Sequence, residues 1–127
     1  MEETLRFLRA KGIKTAVATA TALDITKSHL TTIGVCDLFD SIVSAKNVAH
    51  GKPEPDVYLY ACEQIGERPQ DCMAVEDSPN GIMAAYRAGL RTVMVPDLTQ
   101  PDEELTKYLY ACVNSLSDLC ELVDKED

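Results

Sequence analysis

The sequence has few positive charges and no long hydrophobic run. Its 127 residues include 12 Lys and Arg against 21 Asp and Glu, so the formal net charge is −9. Nucleic acids and anionic membranes bind cationic surfaces, so this balance argues against both as the main partner. A small anionic ligand would need local help from a Lys side chain, backbone amides or a metal.

Two further absences concern the compartment. No apolar run reaches the roughly 18 residues of a membrane helix, and the start, MEETLRFLRA, is too charged for a secretory signal. The cysteines include no CxxC pair, which argues against a zinc site or a redox couple. We predict a cytoplasmic protein whose cysteines are reduced core residues. These cysteines are Cys36, Cys62, Cys72, Cys112 and Cys120.

The hydrophobic pattern alternates between short strands and amphipathic helices. The predicted strands are 13–17, 41–44, 72–75 and 91–95. Helical patterns separate them, and we find no repeat or linker. The alternation predicts one α/β domain over 1–127, with a Rossmann-like parallel sheet and helices on both faces.

The helices carry local signals of their own. Asp24 is a candidate N-cap for the second helix, whose apolar face includes Leu30 and Ile33. Near the end, an apolar spacing at Leu105, Tyr108, Leu109 and Cys112 predicts another helix. A last helix is predicted from Leu116 onwards.

Polar residues follow three of the predicted strands, at the edge where the carboxyl ends of parallel strands meet. These residues are Thr19 and Thr21, then Gly51, Lys52 and Pro53, then Glu76, Asp77 and Ser78. Each also has an ordinary explanation: a threonine in a turn, a solvated lysine, or a helix cap supplied by Asp77, Ser78 or Asn80.

Capping does not explain Glu76 beside Asp77. Two adjacent carboxylates at the end of a buried strand repel each other, and a cation beside them relieves this. Carboxylate oxygens suit Mg²⁺. Hydroxyls, an ammonium and carboxylates together would bind a phosphoryl group.

Three segments resemble motifs of the haloacid dehalogenase superfamily of hydrolases, in the subgroup of β-phosphoglucomutase and phosphoglycolate phosphatase. The segments are AVATAT (16–21), GKPEPDVYLYA (51–61) and AVEDSPNGIMAAYRAGLRTVMV (74–95). The resemblance implies a Mg²⁺-dependent phosphatase or phosphomutase. Its substrate would be a small phosphorylated metabolite such as a sugar phosphate.

The resemblance also implies a role for each matching residue. Thr19 would bind the transferring phosphoryl group, Thr21 would add a contact, and Lys52 would neutralise the phosphate and the nucleophile. Asp77 would bind Mg²⁺, with Glu76 as a further ligand directly or through water. Ser78 and Asn80 would order this loop, and Gly81 would allow close packing at the start of the helix.

The sequence departs from the family at one motif. The family carries DxDx[TV] on its first strand, where the first Asp is the nucleophile, and these 127 residues contain no such motif. We therefore expect the carboxyl-terminal part of the core domain, without the nucleophile strand and the helical cap, to be inactive alone.

The nucleophile strand of the family lies between the strands ending near Thr19 and Glu76. The sequence thus predicts that these two strands pair directly, that the chain self-associates, or that an amino-terminal segment completes the sheet. The alternative function is a non-catalytic protein that binds an anion or metal, or acts by association. A phospho-receiver domain fits poorly, because its acidic residues come first and its Lys last.

Overall fold

A computed structural model describes residues 2–95 and 103–126, apart from the side chains at 116, 117 and 124–126. The helices are α1 Glu2–Ala10, α2 Leu23–Thr32, α3 Asp56–Ile65, α4 Pro79–Ala88, α5 Glu103–Thr106 and α6 Leu116–Glu126. The strands are β1 Ala16–Thr19, β2 Ser41–Ser44, β3 Met73–Glu76, β4 Arg91–Met94 and β5 Ala111–Cys112. Short 3₁₀ turns lie at Cys36–Leu38, Ala45–Asn47 and Pro69–Asp71. The order confirms the predicted α/β class.

The five strands form two parallel sheets. In the first, β1 pairs with β2, with Thr19 opposite Ser44. In the second, β3 pairs with β4, with Glu76 opposite Met94, and β5 pairs with the other side of β4. Within the part of the chain that the structure describes, no ladder joins β1 to β3.

Two packed helices join the sheets. Helix α3 contacts β1 and β2, α4 contacts β3 and β4, and the two helices contact each other. The shared core consists of Val43, Val57, Tyr58, Ala61, Ala74, Ala84, Ala85 and Ala88. Alanines predominate on α4, which lets the backbones approach closely, and left-handed Gly89 (φ 94°) ends the helix.

The first strand begins later than predicted. Ile13 N donates to Leu8 O at the end of α1, and Thr15 N donates to Asp40 Oδ2. These bonds take residues 13–15 out of the ladder, which begins at Ala16. Thr19 consequently ends the strand instead of following it.

The helix predicted across Leu105, Tyr108, Leu109 and Cys112 is wrong. Helix α5 ends at Thr106, and Ala111–Cys112 is a strand. Tyr110 N donates to Thr92 O and Val113 N to Met94 O. Pairing with β4 therefore decided the conformation of a segment whose apolar spacing also suits a helix.

The predictions at α2 fail in two places. Asp24 is not the cap: Ala22 precedes the helix, and Asp24 Oδ1 accepts from the neighbouring Ile25 N. Ile33 is 59% exposed instead of packing inward, whereas Leu30 packs against the cluster of Leu5, Val35 and Leu38.

The cysteines are free thiols. Cys62 is buried, three are half-buried, and Cys112 is exposed, so the prediction of a core position is wrong for Cys112. No helix in the described ranges is both long and apolar enough to cross a membrane.

Candidate active site

The loop after β1 is held against the end of β2. Ser44, fully buried, donates from Oγ to Thr21 O at 2.7 Å and accepts from Lys46 N at 3.1 Å. Thr19 Oγ1 accepts from Thr21 N at 3.1 Å, which closes a tight turn. The loop thereby places both predicted threonines at the carboxyl end of β1.

The loop carrying Lys52 is anchored from two helices. Asp56, in the first turn of α3, accepts from His50 N at 3.2 Å. Arg87 on α4 donates to Pro53 O at 3.3 Å and lies 3.5 Å from the Glu54 carboxylate. These contacts direct Lys52 inward, and its side chain is only 19% exposed.

Lys52 connects the carboxyl ends of the two sheets. Its Nζ lies 2.5 Å from Glu76 Oε2 at the end of β3 and donates to Ala18 O, near the end of β1, at 3.3 Å. The ammonium also lies 5.3 Å from the centroid of the Tyr58 ring. Lys52 thus occupies the edge at which the sequence predicted the polar clusters to meet.

Tyr58 on α3 also belongs to this edge, and the sequence motifs assigned it no role. Its hydroxyl donates to Glu76 Oε2, the oxygen that Lys52 binds. Burial, followed by the charge of Glu76, raises the pKa of Tyr58, so the phenol stays a neutral donor. The sequence could have indicated this role of Tyr58, because a buried tyrosine hydroxyl needs a hydrogen-bond partner.

Glu76 is a buried carboxylate, 8% exposed, with its charge balanced within the protein. The adjacent carboxylates predicted a neighbouring cation, and for Glu76 this cation is Lys52. The other carboxylate oxygen of Glu76, Oε1, lies against Gly81, where a Cβ would overlap the carboxylate. The absence of a side chain at Gly81 therefore makes room for Glu76.

Asp77 directly follows the last residue of β3 and is exposed. Ser78 is the N-cap of α4, since its Oγ accepts from Gly81 N at 3.2 Å. This is one of the capping alternatives the sequence left open. Asn80 is exposed in the first turn of the same helix.

The described residues offer few metal ligands in this region. No group of three or more His, Cys, Asp or Glu among them is arranged to hold a metal. Asp77 offers an accessible carboxylate, whereas Glu76 is occupied by Lys52 and Tyr58. This donor set fits only an ion that keeps most of its water.

An open cavity of about 450 Å³ lies beside the loop that carries Thr19 and Thr21. It is lined by Ala22, Leu23, Asp24, Lys27, Lys46 and Asn47. Two ammonium groups against one carboxylate give this lining a net positive charge, in a chain that is acidic overall.

Comparison with known proteins identifies the family. Residues 1–89 match the model of the haloacid dehalogenase-like hydrolases, and the chain belongs to that family. Hexitol phosphatase B of Escherichia coli (strain K12) is 31% identical over 126 residues, covering 99% of this chain and 55% of its own length.

Comparison with solved structures agrees with this family assignment. β-Phosphoglucomutase from Clostridium difficile superposes with a TM-score of 0.80 at 26% identity, covering 98% of this chain and 53% of that one. CbbY from Rhodobacter sphaeroides, in complex with phosphate, gives 0.82 at 32% identity, covering 92% and 53%. This chain thus spans about half the length of the relatives it matches. The resemblance to the β-phosphoglucomutase subgroup is confirmed.

Proposed function

We propose that this chain supplies the phosphate-binding and Mg²⁺-binding side of a phosphatase or phosphomutase site acting on a small phosphate ester. The observation that carries the proposal is the position of Lys52 Nζ, between Ala18 O at the end of β1 and Glu76 Oε2 at the end of β3. A half-buried ammonium at that point would attract phosphoryl oxygens strongly, because little water screens it.

Thr19 and Thr21 would donate to the same phosphoryl group. Both lie at the end of β1, whose Ala18 carbonyl binds Lys52, so hydroxyls and ammonium belong to one edge. The bond that Ser44 Oγ donates to Thr21 O would keep the geometry of this loop fixed when a phosphate binds. Ser78, Asn80 and Gly81 would keep the start of α4 in place.

Asp77 would be the direct ligand of Mg²⁺, and Glu76 would reach the ion through water, since its Oε2 already binds Lys52 and Tyr58. Bound Mg²⁺ would offset part of the phosphoryl charge. One carboxylate gives weak binding, which we expect in the millimolar range.

The rest of the substrate would lie in the cavity beside the β1 loop. Lys27 and Lys46 line it, so a polar or anionic group, as in a sugar phosphate, would suit it. The name of hexitol phosphatase B fits this substrate class.

We further propose that the 127 residues alone do not turn over phosphate esters. Lys52, Thr19 and Asp77 stabilise charge but do not stand as an acceptor for the phosphoryl group. Glu76 is held by two donors and packed against Gly81, which leaves it no freedom to act as a nucleophile.

A chimera tests the proposal. The part of hexitol phosphatase B outside the matched region would be fused to this chain and assayed with an aryl phosphate and Mg²⁺. We expect turnover by the chimera and none by the 127 residues. Thr19→Val and Asp77→Asn should each lower kcat by about 100-fold.

Asp71→Asn is the matched control for Asp77→Asn. Asp71 is an exposed aspartate that pairs with Arg68 and lies before the amino end of β3, whereas Asp77 follows the carboxyl end. It should leave turnover unchanged. The proposal would be refuted if the chimera is folded, as judged by circular dichroism, but inactive in an assay in which hexitol phosphatase B is active.

The alternative is a non-catalytic protein that uses the same edge for association. The Lys52, Glu76 and Tyr58 contacts favour it in one respect, because they explain the buried charge without any ligand. This alternative includes an anion site without catalysis, which would also bind inorganic phosphate at the Thr19 loop, so phosphate binding does not separate the two functions. A folded chimera in which phosphate shifts the amide resonances of Thr19 and Thr21 but which shows no turnover would favour the alternative.

A further inference from the structure

Two cysteines lie side by side, one on α3 and one just before β3. Cys62 is on α3 and Cys72 directly precedes β3, and their Sγ atoms are 3.7 Å apart. Both are free thiols, one buried and one half-buried. A disulfide would require the sulfurs to approach to about 2.05 Å.

The pair lies where little rearrangement is needed. Cys62 follows Tyr58 by one helical turn, and Cys72 is four residues before Glu76. The same helix and strand are therefore held at one end by Tyr58 and Glu76 and meet at the other through the two sulfurs. Cys72 lies between the 3₁₀ turn Pro69–Asp71 and β3, and its carbonyl oxygen accepts from Arg91 N. Rotation of its side chain leaves this backbone hydrogen bond intact.

We propose that Cys62 and Cys72 are an oxidation site that forms an intramolecular disulfide with a disulfide oxidant such as oxidised glutathione. The thiolate of the more accessible Cys72 attacks one glutathione sulfur, which breaks that S–S bond and releases one glutathione thiolate. Cys62 then attacks Cys72 Sγ and releases the second. Two protein thiols are oxidised, one glutathione disulfide is reduced, and the two protons pass to the two glutathione thiolates.

Burial controls how readily the pair reacts. It raises the pKa of Cys62 to about 12 and also raises that of Cys72. The charged groups facing Cys72 are Glu67 and Asp71, which raise its pKa further, and Arg91, which lowers it. At neutral pH the pair is therefore almost entirely protonated, so oxidation is slow and depends on the oxidant.

The disulfide would cross-link α3 to the start of β3. It would close a short loop over 62–72 and so remove conformations from the unfolded chain. We expect Tm to rise by about 5–10 °C on oxidation and to return when dithiothreitol is added. The proposal does not depend on the proposed function, because neither cysteine is among the residues proposed to bind phosphate or Mg²⁺.

The test incubates the folded protein with oxidised glutathione at mildly alkaline pH, blocks the remaining thiols, and maps the peptides without reduction. We expect a cross-linked peptide joining 62 to 72, a mass lower by two hydrogens, and the rise in Tm. Cys120→Ser, which changes a half-buried cysteine outside the pair, should retain all three.

Cys62→Ser should instead stop at the mixed disulfide, with glutathione retained on Cys72 and no rise in Tm. The proposal is wrong if the protein without substitutions also retains glutathione on Cys72, or if its Cys72 forms a disulfide with a different cysteine. Should Cys62→Ser fail to fold by circular dichroism, Cys72→Ser replaces it, and it should give neither a cross-linked peptide nor a rise in Tm because the accessible attacking thiol is gone.

Discussion

The hydroxyl of Tyr58 donates a hydrogen bond to Glu76 at the carboxylate oxygen that also binds Lys52. One buried oxygen thus joins helix α3, the end of β3 and the loop between β2 and α3. Because Lys52 also reaches Ala18 O, the same ammonium connects two sheets that share no ladder in the described chain. The edge formed by Lys52, Tyr58 and Glu76 is consequently a structural junction, and substitutions there should affect stability.

Tyr58→Phe removes the neutral donor and keeps the ring. We expect the free energy of unfolding to fall by about 2 kcal/mol, because a buried carboxylate loses one of two partners. Urea denaturation measures this loss. Tyr60→Phe, on the same helix and at the edge of the same core, should change stability by less than about 0.5 kcal/mol. Equal losses in the two variants would mean that the bond to Glu76 contributes nothing.

Lys52→Met leaves the Glu76 carboxylate buried without its cation. Breaking one side of a buried ion pair should cost about 3 kcal/mol in the same denaturation experiment. The second substitution Glu76→Gln should recover part of that loss, because no charge is then left unpaired. Lys14→Met is the control, since Lys14 and its partner Glu67 are largely exposed, and it should cost less than about 1 kcal/mol. Additive effects of Lys52→Met and Glu76→Gln would rule out the pairing.

Gly81→Ala should destabilise the protein although alanine favours helices. Its Cβ would overlap the Glu76 carboxylate, which Lys52 and Tyr58 prevent from moving away. We expect a loss of about 1–3 kcal/mol by urea denaturation. In a Glu76→Ala background the overlap disappears, so the same change should there be neutral or stabilising. If Gly81→Ala still destabilises the protein in the Glu76→Ala background, the cause of the loss lies elsewhere in α4.

Stability should fall as the pH rises above 9 under reducing conditions. Burial raises the pKa of Cys62 from 9.0 to about 12, so the unfolded chain loses this proton at a lower pH than the folded protein does. The folded state binds more protons between pH 9 and 12, and its advantage is lost through that interval. Tyr58, with its raised pKa, acts in the same direction above pH 10.

Thermal unfolding followed over this pH range measures the effect. Cys62→Ala should make the fall in Tm shallower, whereas Cys112→Ala, at an exposed position, should leave its slope unchanged. A slope that is identical in all three proteins would contradict the assignment to Cys62.

Self-association remains a prediction from the strand edges. In the described residues, β1 and β3 each have a ladder on one side only. Such edges pair readily with other chains. We expect sedimentation coefficients to fall on dilution, and a single concentration-independent monomer would contradict this.

The sequence alone determined the order of helices and strands up to β4, because apolar periodicity is a local property of the chain. It also determined that Thr19, Lys52, Glu76 and Asp77 belong to one edge, since the carboxyl ends of parallel strands must coincide. It failed at Ala111–Cys112, where pairing with β4 overrode a helical spacing.

Only the tertiary structure decided which side chains meet. That Lys52 is the cation beside Glu76, and that Tyr58 completes the pair, depends on how α3 packs against both sheets. The absence of a CxxC motif argued against a redox couple, yet folding brings Cys62 and Cys72 to 3.7 Å. Contacts between residues ten or twenty positions apart depend on packing, which has no local signal in the sequence.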